Sequence, residues 1–229
     1  MEKYIYQDWY KGKRKLQTEE QTLIYYSKHV YYPDHMKEKG KEAKKFLKTC
    51  TSAEEWARYA YANDLPFSVC KMDAHHVEAY IRKEFLEEGL SVAFLDEYGR
   101  KFMGYSFNRQ PNGKYFCIGI IFWEFEEGKS GDNDDTKTWI YTFEPNGNVE
   151  VIEREKGAKE ECVWKSKRPL NVESNWEDAP AFGNWDGLFE MKRWKEGELD
   201  ELFKGDETSA ADQTDQPVNK WLPPGWNKE

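Results

Sequence analysis

Between Ile118 and Gly147 the chain reads IGIIFWEFEEGKSGDNDDTKTWIYTFEPNG: two apolar runs, each with a tryptophan, on either side of a loop carrying Asp132, Asp134 and Asp135. Carboxylates this dense can hold a cation, work as an acid–base pair, or present charge to a basic partner. The first reading fails on spacing. An EF-hand loop needs Gly at its sixth place and a carboxylate at its twelfth; counted from Asp132 these are Lys137 and Phe143. Zinc fares no better. His75 and His76 are adjacent, so on a helix their side chains diverge by about 100°, unlike an i, i+4 pair. His29 and His35 lie on separate segments. No metal or other cofactor is expected.

Catalysis has one candidate. Glycoside hydrolysis uses two carboxyls flanking a sugar, often with aromatic rings nearby, and Glu124, Glu126 and Glu127 follow Trp123 closely. However, Glu124 and Glu126 alternate with Trp123 and Phe125, which on a strand sets carboxylates on one face and rings on the other. With 43 acidic residues in the chain, such neighbours arise without purpose. The sequence holds no GxSxG elbow, no SxxK, no Walker loop and no GxGxxG. Two alternatives stay open beside binding: a carbohydrate-active or other hydrolytic enzyme, and a structural or phage-type interaction protein.

Binding fits the composition. The 229 residues are 34% charged and 38% hydrophobic, and 16% are aromatic, with 10 Trp, 14 Tyr and 13 Phe. Aromatics bury large areas each, and Tyr and Trp add a polar tip, so they suit both a core and an interface. The net charge of −9 argues against a nucleic-acid backbone or an anionic membrane as partner. Charge is uneven: residues 1–50 carry 12 basic against 7 acidic side chains, mostly in YKGKRK and KEKGKEAKKFLK. The second run reads as a solvated helix face. Four scattered cysteines, no leader and no apolar run of spanning length imply reduced thiols in a cytoplasmic protein.

These groups need elements to position them. YIYQDWY (4–10) alternates like a strand, and QTLIYYSKHVYY (21–32) suits either a strand or an aromatic helix ending at Pro33. Three helices are predicted next. The first is capped by Asp34 and runs to about Thr49; the second follows Ser52, with Glu55 three residues on as a capping box. The third begins at Asp73, with Val77, Tyr80, Ile81 and Phe85 as its stripe and Gly89 at its end. From Leu90 the period becomes two. LSVAFLD, KFMGYSFNR, KYFCIGIIFWEFE, TKTWIYTFE and NVEVIERE read as five strands, joined by DEYGR, QPNGK and EPNGN. The Asn-Gly pairs predict type I′ hairpins. Cys117, inside a strand pattern, is a core thiol.

The expected fold is therefore α+β: N-terminal helices (about 34–89) packed on an antiparallel meander of about five strands (about 90–156). An irregular Trp-rich segment (157–196) follows, with one more strand near Cys162–Lys165 and a short helix near 185–194. Residues 1–196 form one domain. Residues 197–229 read as an acidic, flexible tail, in which GDETSAADQTDQ precedes PVNKWLPPGWNKE, a motif suited to folding back or docking.

WIYTFEPNGNVEVIE (139–153), followed by SNWEDAPAFGNWDGLF (174–189), resembles the C-terminal part of small bacterial immunity proteins encoded beside secreted polymorphic toxins. The resemblance covers the C-terminal half. It implies a cytoplasmic, acidic, aromatic-rich α+β domain that binds and blocks a cognate toxin without catalysis. Secreted nuclease toxins are basic because they bind phosphate, so an inhibitor presenting carboxylates can occupy the same groove. The expected binding residues are Glu126, Glu127, Asp132, Asp134 and Asp135, with Trp123 or Trp139 as anchor where either faces outward.

Overall fold

A computed structural model describes residues 3–29, 37–74, 76–83, 89–131, 134–166 and 168–194. The N-terminus supplies strand β1 (Tyr4–Ile5) and a small hairpin of β2 (Trp9–Tyr10) and β3 (Lys15–Leu16). Helices α1 (Glu19–His29), α2 (Lys37–Leu47) and α3 (Ala53–Ala62) follow. Eight further strands then run in order: β4 (Phe67–Asp73), β5 (His76–Lys83), β6 (Gly89–Leu95), β7 (Lys101–Arg109), β8 (Tyr115–Phe125), β9 (Asp135–Phe143), β10 (Val149–Glu155) and β11 (Cys162–Lys165). A two-residue strand, β12 (Trp176–Glu177), pairs back onto β8.

The large sheet has ten strands, in the order β1-β4-β5-β6-β7-β8-β9-β10-β11 with β12 beside β8, and every pairing is antiparallel. The class is α+β but mostly sheet, and the expectation of a five-strand meander under N-terminal helices is corrected on both counts. The five predicted runs are β6 to β10, and β11 lies where one more strand was expected. The sheet also takes in β1 and β4, and the predicted third helix is instead strand β5.

That correction has a local cause. In β5, Met72 pairs with Val77 and Lys71 with Ala79, so Glu78 is an extra residue, a β-bulge. The bulge puts Val77 and Tyr80, three apart, on one face with Cys70, while Ala79 and Ile81 face the other way. A spacing of three across a bulge imitates a helical stripe. Asp73 pairs with His76 across a tight turn in which Ala74 takes a φ of +46°. The predicted cap Asp34, His35, His75 and Phe85 lie outside the described residues.

α1 resolves the ambiguity of residues 21–29 as helix, and residues 30–33 lie outside the described residues. Thr18 accepts from the Gln21 amide at 3.2 Å, and the Gln21 side chain accepts from the Thr18 amide at 3.1 Å, a complete capping box. At α3, Ser52 accepts from the Glu55 amide at 3.1 Å as expected, while the Glu55 carboxylate reaches back to the Thr51 amide at 2.8 Å. The Thr51 amide and, with it, the Thr51 hydroxyl donate to the Glu55 carboxyl and lower its pKa.

The hairpins are corrected too. In DEYGR, QPNGK and EPNGN alike, the glycine amide donates to the carbonyl three residues earlier: Gly99 to Asp96, Gly113 to Gln110, Gly147 to Glu144. The glycines take φ of +72°, +83° and +91°. This is a three-residue loop closed by a left-handed glycine rather than a two-residue type I′ turn. The side chains of Asp96, Asn112 and Asn146 each accept an amide two residues on, which favours this loop.

One core cluster runs along the inner face of the sheet, from Tyr26, Trp56 and Ala60 of the helices through Phe94, Tyr105, Phe122 and Tyr141 to Trp185 and Trp194. The irregular C-terminal segment is thus part of this core. Asn175, fully buried, donates to the Cys117 carbonyl at 2.8 Å and accepts from the Trp194 indole at 3.1 Å, pinning the segment to β8. Burial pushes the Cys117 thiol up to about 12, as befits a core thiol. Residues 182–183 and 186–189 form turns, and the helix expected near 185–194 is absent among the described residues.

The outer face carries a second cluster, in which Trp9 from the small hairpin covers Cys70, Val77, Tyr80, Ala93 and Leu95. Beside it lies a buried ion pair. Asp8, 2% exposed, accepts from Arg82 at 2.6 Å, and Arg82 also donates to the Trp9 carbonyl at 2.8 Å. Burial works against the Arg82 charge, but the Asp8 carboxylate outweighs it and raises the guanidinium above its ordinary value. Removing one member of such a pair leaves the other charged and buried, which costs about 3–5 kcal/mol. Asp8→Ala should lower the unfolding free energy by that order in urea titration, and the double replacement Asp8→Leu with Arg82→Met should recover most of the loss.

Candidate functional site

The acidic loop sits where three chain segments meet. Beside it, the Asp96–Arg100 turn between β6 and β7, Phe102 and the end of β8 enclose a groove of about 570 Å³. Its walls include Glu97, Tyr98, Phe102, Trp123, Glu124 and Phe125. Aromatic surface here lies beside carboxylates, as the sequence suggested for Trp123, but half the lining comes from the 96–102 hairpin, which the sequence reading treated as turn chemistry alone. The signal was present: DEYGR places two acids and a tyrosine at a hairpin tip, and Glu97 and Tyr98 are both exposed, Tyr98 at 44%.

Arg100 builds the groove. It is only 6% exposed; its Nε donates to Asp96 at 2.7 Å, and its guanidinium lies 3.9 Å from the Phe125 ring centre and 5.0 Å from that of Tyr98. Its remaining reach goes to the acidic loop, where Nη1 donates to the Lys129 carbonyl at 2.9 Å. Arg14, from the small hairpin, donates to the neighbouring Ser130 carbonyl and, at 3.4 Å, to that of Tyr98. Arg14 holds a left-handed φ of +45°, an unfavourable conformation for a residue with a Cβ. Two cations therefore grip the loop by its backbone, at Lys129 and Ser130.

The predicted residues divide by position. Glu126 and Glu127 are exposed at the exit of β8. Asp134 folds inward, its carboxylate accepting from the Gly131 amide at 2.6 Å and its carbonyl from the Glu126 amide at 2.9 Å, so it closes the loop. Asp135 begins β9 opposite Phe125 and is half-buried. Asp132 lies outside the described residues. Among the described residues no group of three His, Cys, Asp or Glu is placed to hold a metal ion, and no helix is long and apolar enough to cross a membrane.

The tryptophans part company. Trp139 is 5% exposed in the core cluster and donates its indole N–H to Glu124 at 2.9 Å, so it faces inward and is corrected as an outward anchor. Strand parity is the reason: Trp139 pairs with buried Phe122. Trp123, one residue on, points to the outer face, half-buried, and lies over Gly104. The Lys101 amine sits 4.4 Å from its ring centre. Glu124 is thus engaged by Trp139, and Asp96 by Arg100, while Glu97, Glu126 and Glu127 point to solvent.

Lys101 is unusual for a surface strand. Burial, then the nearby charges of Lys11 and Arg82, pull its amine down to about 8. A lysine whose folded pKa lies below its unfolded value near 10.4 destabilises the fold while both states are protonated, below about pH 8. That penalty is relieved as pH rises through the unfolded value. Lys101→Met should therefore raise the unfolding free energy at pH 7, and the gain over wild type should shrink toward pH 10 in chemical denaturation.

Compared with models of protein families, with curated proteins and with solved structures, the chain matches none.

Proposed function

We propose that this protein is a non-catalytic binding module that blocks a basic protein partner, an immunity protein neutralising a cognate bacterial toxin through the acidic, aromatic groove. The observation that carries the reading is the pairing of a fixed frame with uncommitted charge. Arg100 and Arg14 hold the loop backbone; Glu97 stands exposed in the groove with the rings of Tyr98, Trp123 and Phe125, and Glu126 and Glu127 are exposed directly after Phe125 at the β8 exit. A surface built before the partner arrives loses little conformational freedom on binding.

The division of labour follows from interface energetics. Exposed rim carboxylates draw a cationic partner and set the encounter rate, while a partly buried ring supplies the energetic centre. Tyr98 and Trp123 take the second role, and a lysine or arginine of the partner fits between the rings and the carboxylates. The Lys101 amine over one face of Trp123 opposes a sugar stacking there, so binding of protein is preferred over glycoside chemistry. A net charge of −9 likewise favours a basic protein over nucleic acid or an anionic membrane. The cytoplasm is the compartment this role requires, because an immunity protein guards the producing cell.

The test is co-expression with the toxin encoded beside the gene. The wild-type chain should restore growth and bind the purified toxin. Glu126→Lys with Glu127→Lys should cut the association rate roughly tenfold at low salt and flatten its salt dependence. Tyr98→Ala should act mainly on dissociation, raising its rate roughly tenfold or more. Growth rescue and kinetics unchanged by all three substitutions would remove this groove from the interface.

A further inference from the structure

A second groove, of about 340 Å³, lies between the β2–β3 hairpin and α1, and its chemistry is the reverse of the first. Tyr10 and Ile24, two of the exposed large apolar side chains at 45% and 40%, form its floor together with Tyr25. Lys13, Lys15 and Lys28 stand around it, all exposed. Lys13 lies 6.0 Å from the Tyr10 ring centre. None of the three lysines forms an ion pair with a carboxylate among the described residues. An apolar floor ringed by uncommitted cations calls for an occupant that is acidic and carries flat or rigid apolar groups.

The chain itself contains such a segment. Beyond Trp194, the last described residue, the sequence continues to Glu229 through GDETSAADQTDQ, which has four acidic and no basic residues, and then PVNKWLPPGWNKE. At up to about 3.3 Å per residue this length of chain reaches any point of a domain this size. Proline pairs favour the extended polyproline II form, which loses little freedom on binding and is recognised by aromatic-lined grooves.

We propose that the groove between the β2–β3 hairpin and α1 is the docking site of the chain's own C-terminal segment, Asp212–Trp226. In this arrangement Asp212 and Asp215 cross the lysines, and Trp221, Pro223, Pro224 and Trp226 cover Tyr10 and Ile24. Docking offsets part of the basic charge of this face and leaves Glu97, Glu126 and Glu127 as the acidic surface open to a cationic partner. This is a contact separate from the proposed function, and either can hold without the other.

The experiment is NMR on the full chain with labelled isoleucine methyls and tryptophan indoles, the latter assigned with Trp221→Phe and Trp226→Phe. Docking predicts nuclear Overhauser contacts between the Trp221 or Trp226 indole and the Ile24 methyls, independent of protein concentration. Lys13→Glu with Lys15→Glu and Lys28→Glu should abolish them while the core methyl signals stay in place. Adding Asp212→Lys and Asp215→Lys should restore them. Absence of the contacts in the wild-type chain, or their survival after lysine reversal without loss, overturns the proposal. Contacts seen only between differently labelled copies overturn docking within one chain in favour of a dimer.

Discussion

A buried guanidinium governs the grooved end of this protein. Arg100 is taken almost wholly out of water, a transfer that costs several kcal/mol unless the charge is paired and its donors are used. Asp96 supplies the countercharge from the same hairpin, Phe125 and Tyr98 supply ring faces, and the Lys129 carbonyl takes a further donor. These partners come from three segments. Satisfying one cation therefore fixes the hairpin tip, the end of β8 and the acidic loop relative to one another. The groove is the space between the hairpin tip and the end of β8.

The same device recurs where elements without regular pairing must be held to the sheet. Asp8 and Arg82 fasten the N-terminal hairpin to the outer face, and Asn175 fastens the C-terminal segment to the inner one. Apolar contact alone would let a two-residue strand or a loop slide; a buried polar partner specifies one register, because any other leaves it unsatisfied. Rings then fill the space around these anchors. Trp185 packs against Phe67, Tyr61 and Phe182, and Trp194 stacks on Phe143. This is how a chain with only 38% hydrophobic residues covers both faces of a ten-stranded sheet.

The strands from Leu90 onward were legible because alternation and turn residues agree over short distances. The Ser52 cap was legible for the same reason, and Thr18-x-x-Gln21 carried an equal signal that the reading passed over. β5 was not legible: the bulge at Glu78 gives a strand the spacing of a helix, and only pairing with β4 reveals it. The site shows the same limit. Carboxylates at the β8 exit could be read off, but Trp123 and Trp139 differ in fate through strand parity across the β8–β9 pair. Arg100 gave no sign of burial, since its partners Phe125 and Lys129 are brought to it only by the folded sheet.

A cationic partner is proposed to enter at the strand ends framed by Arg100, and hydrogen exchange on the full chain, free and bound to the proposed toxin, tests this most directly. Binding there predicts added amide protection in residues 96–102 and 122–135, with the β10–β11 edge unchanged. Protection confined to other surfaces, with 96–102 and 122–135 exchanging as in the free protein, would contradict it.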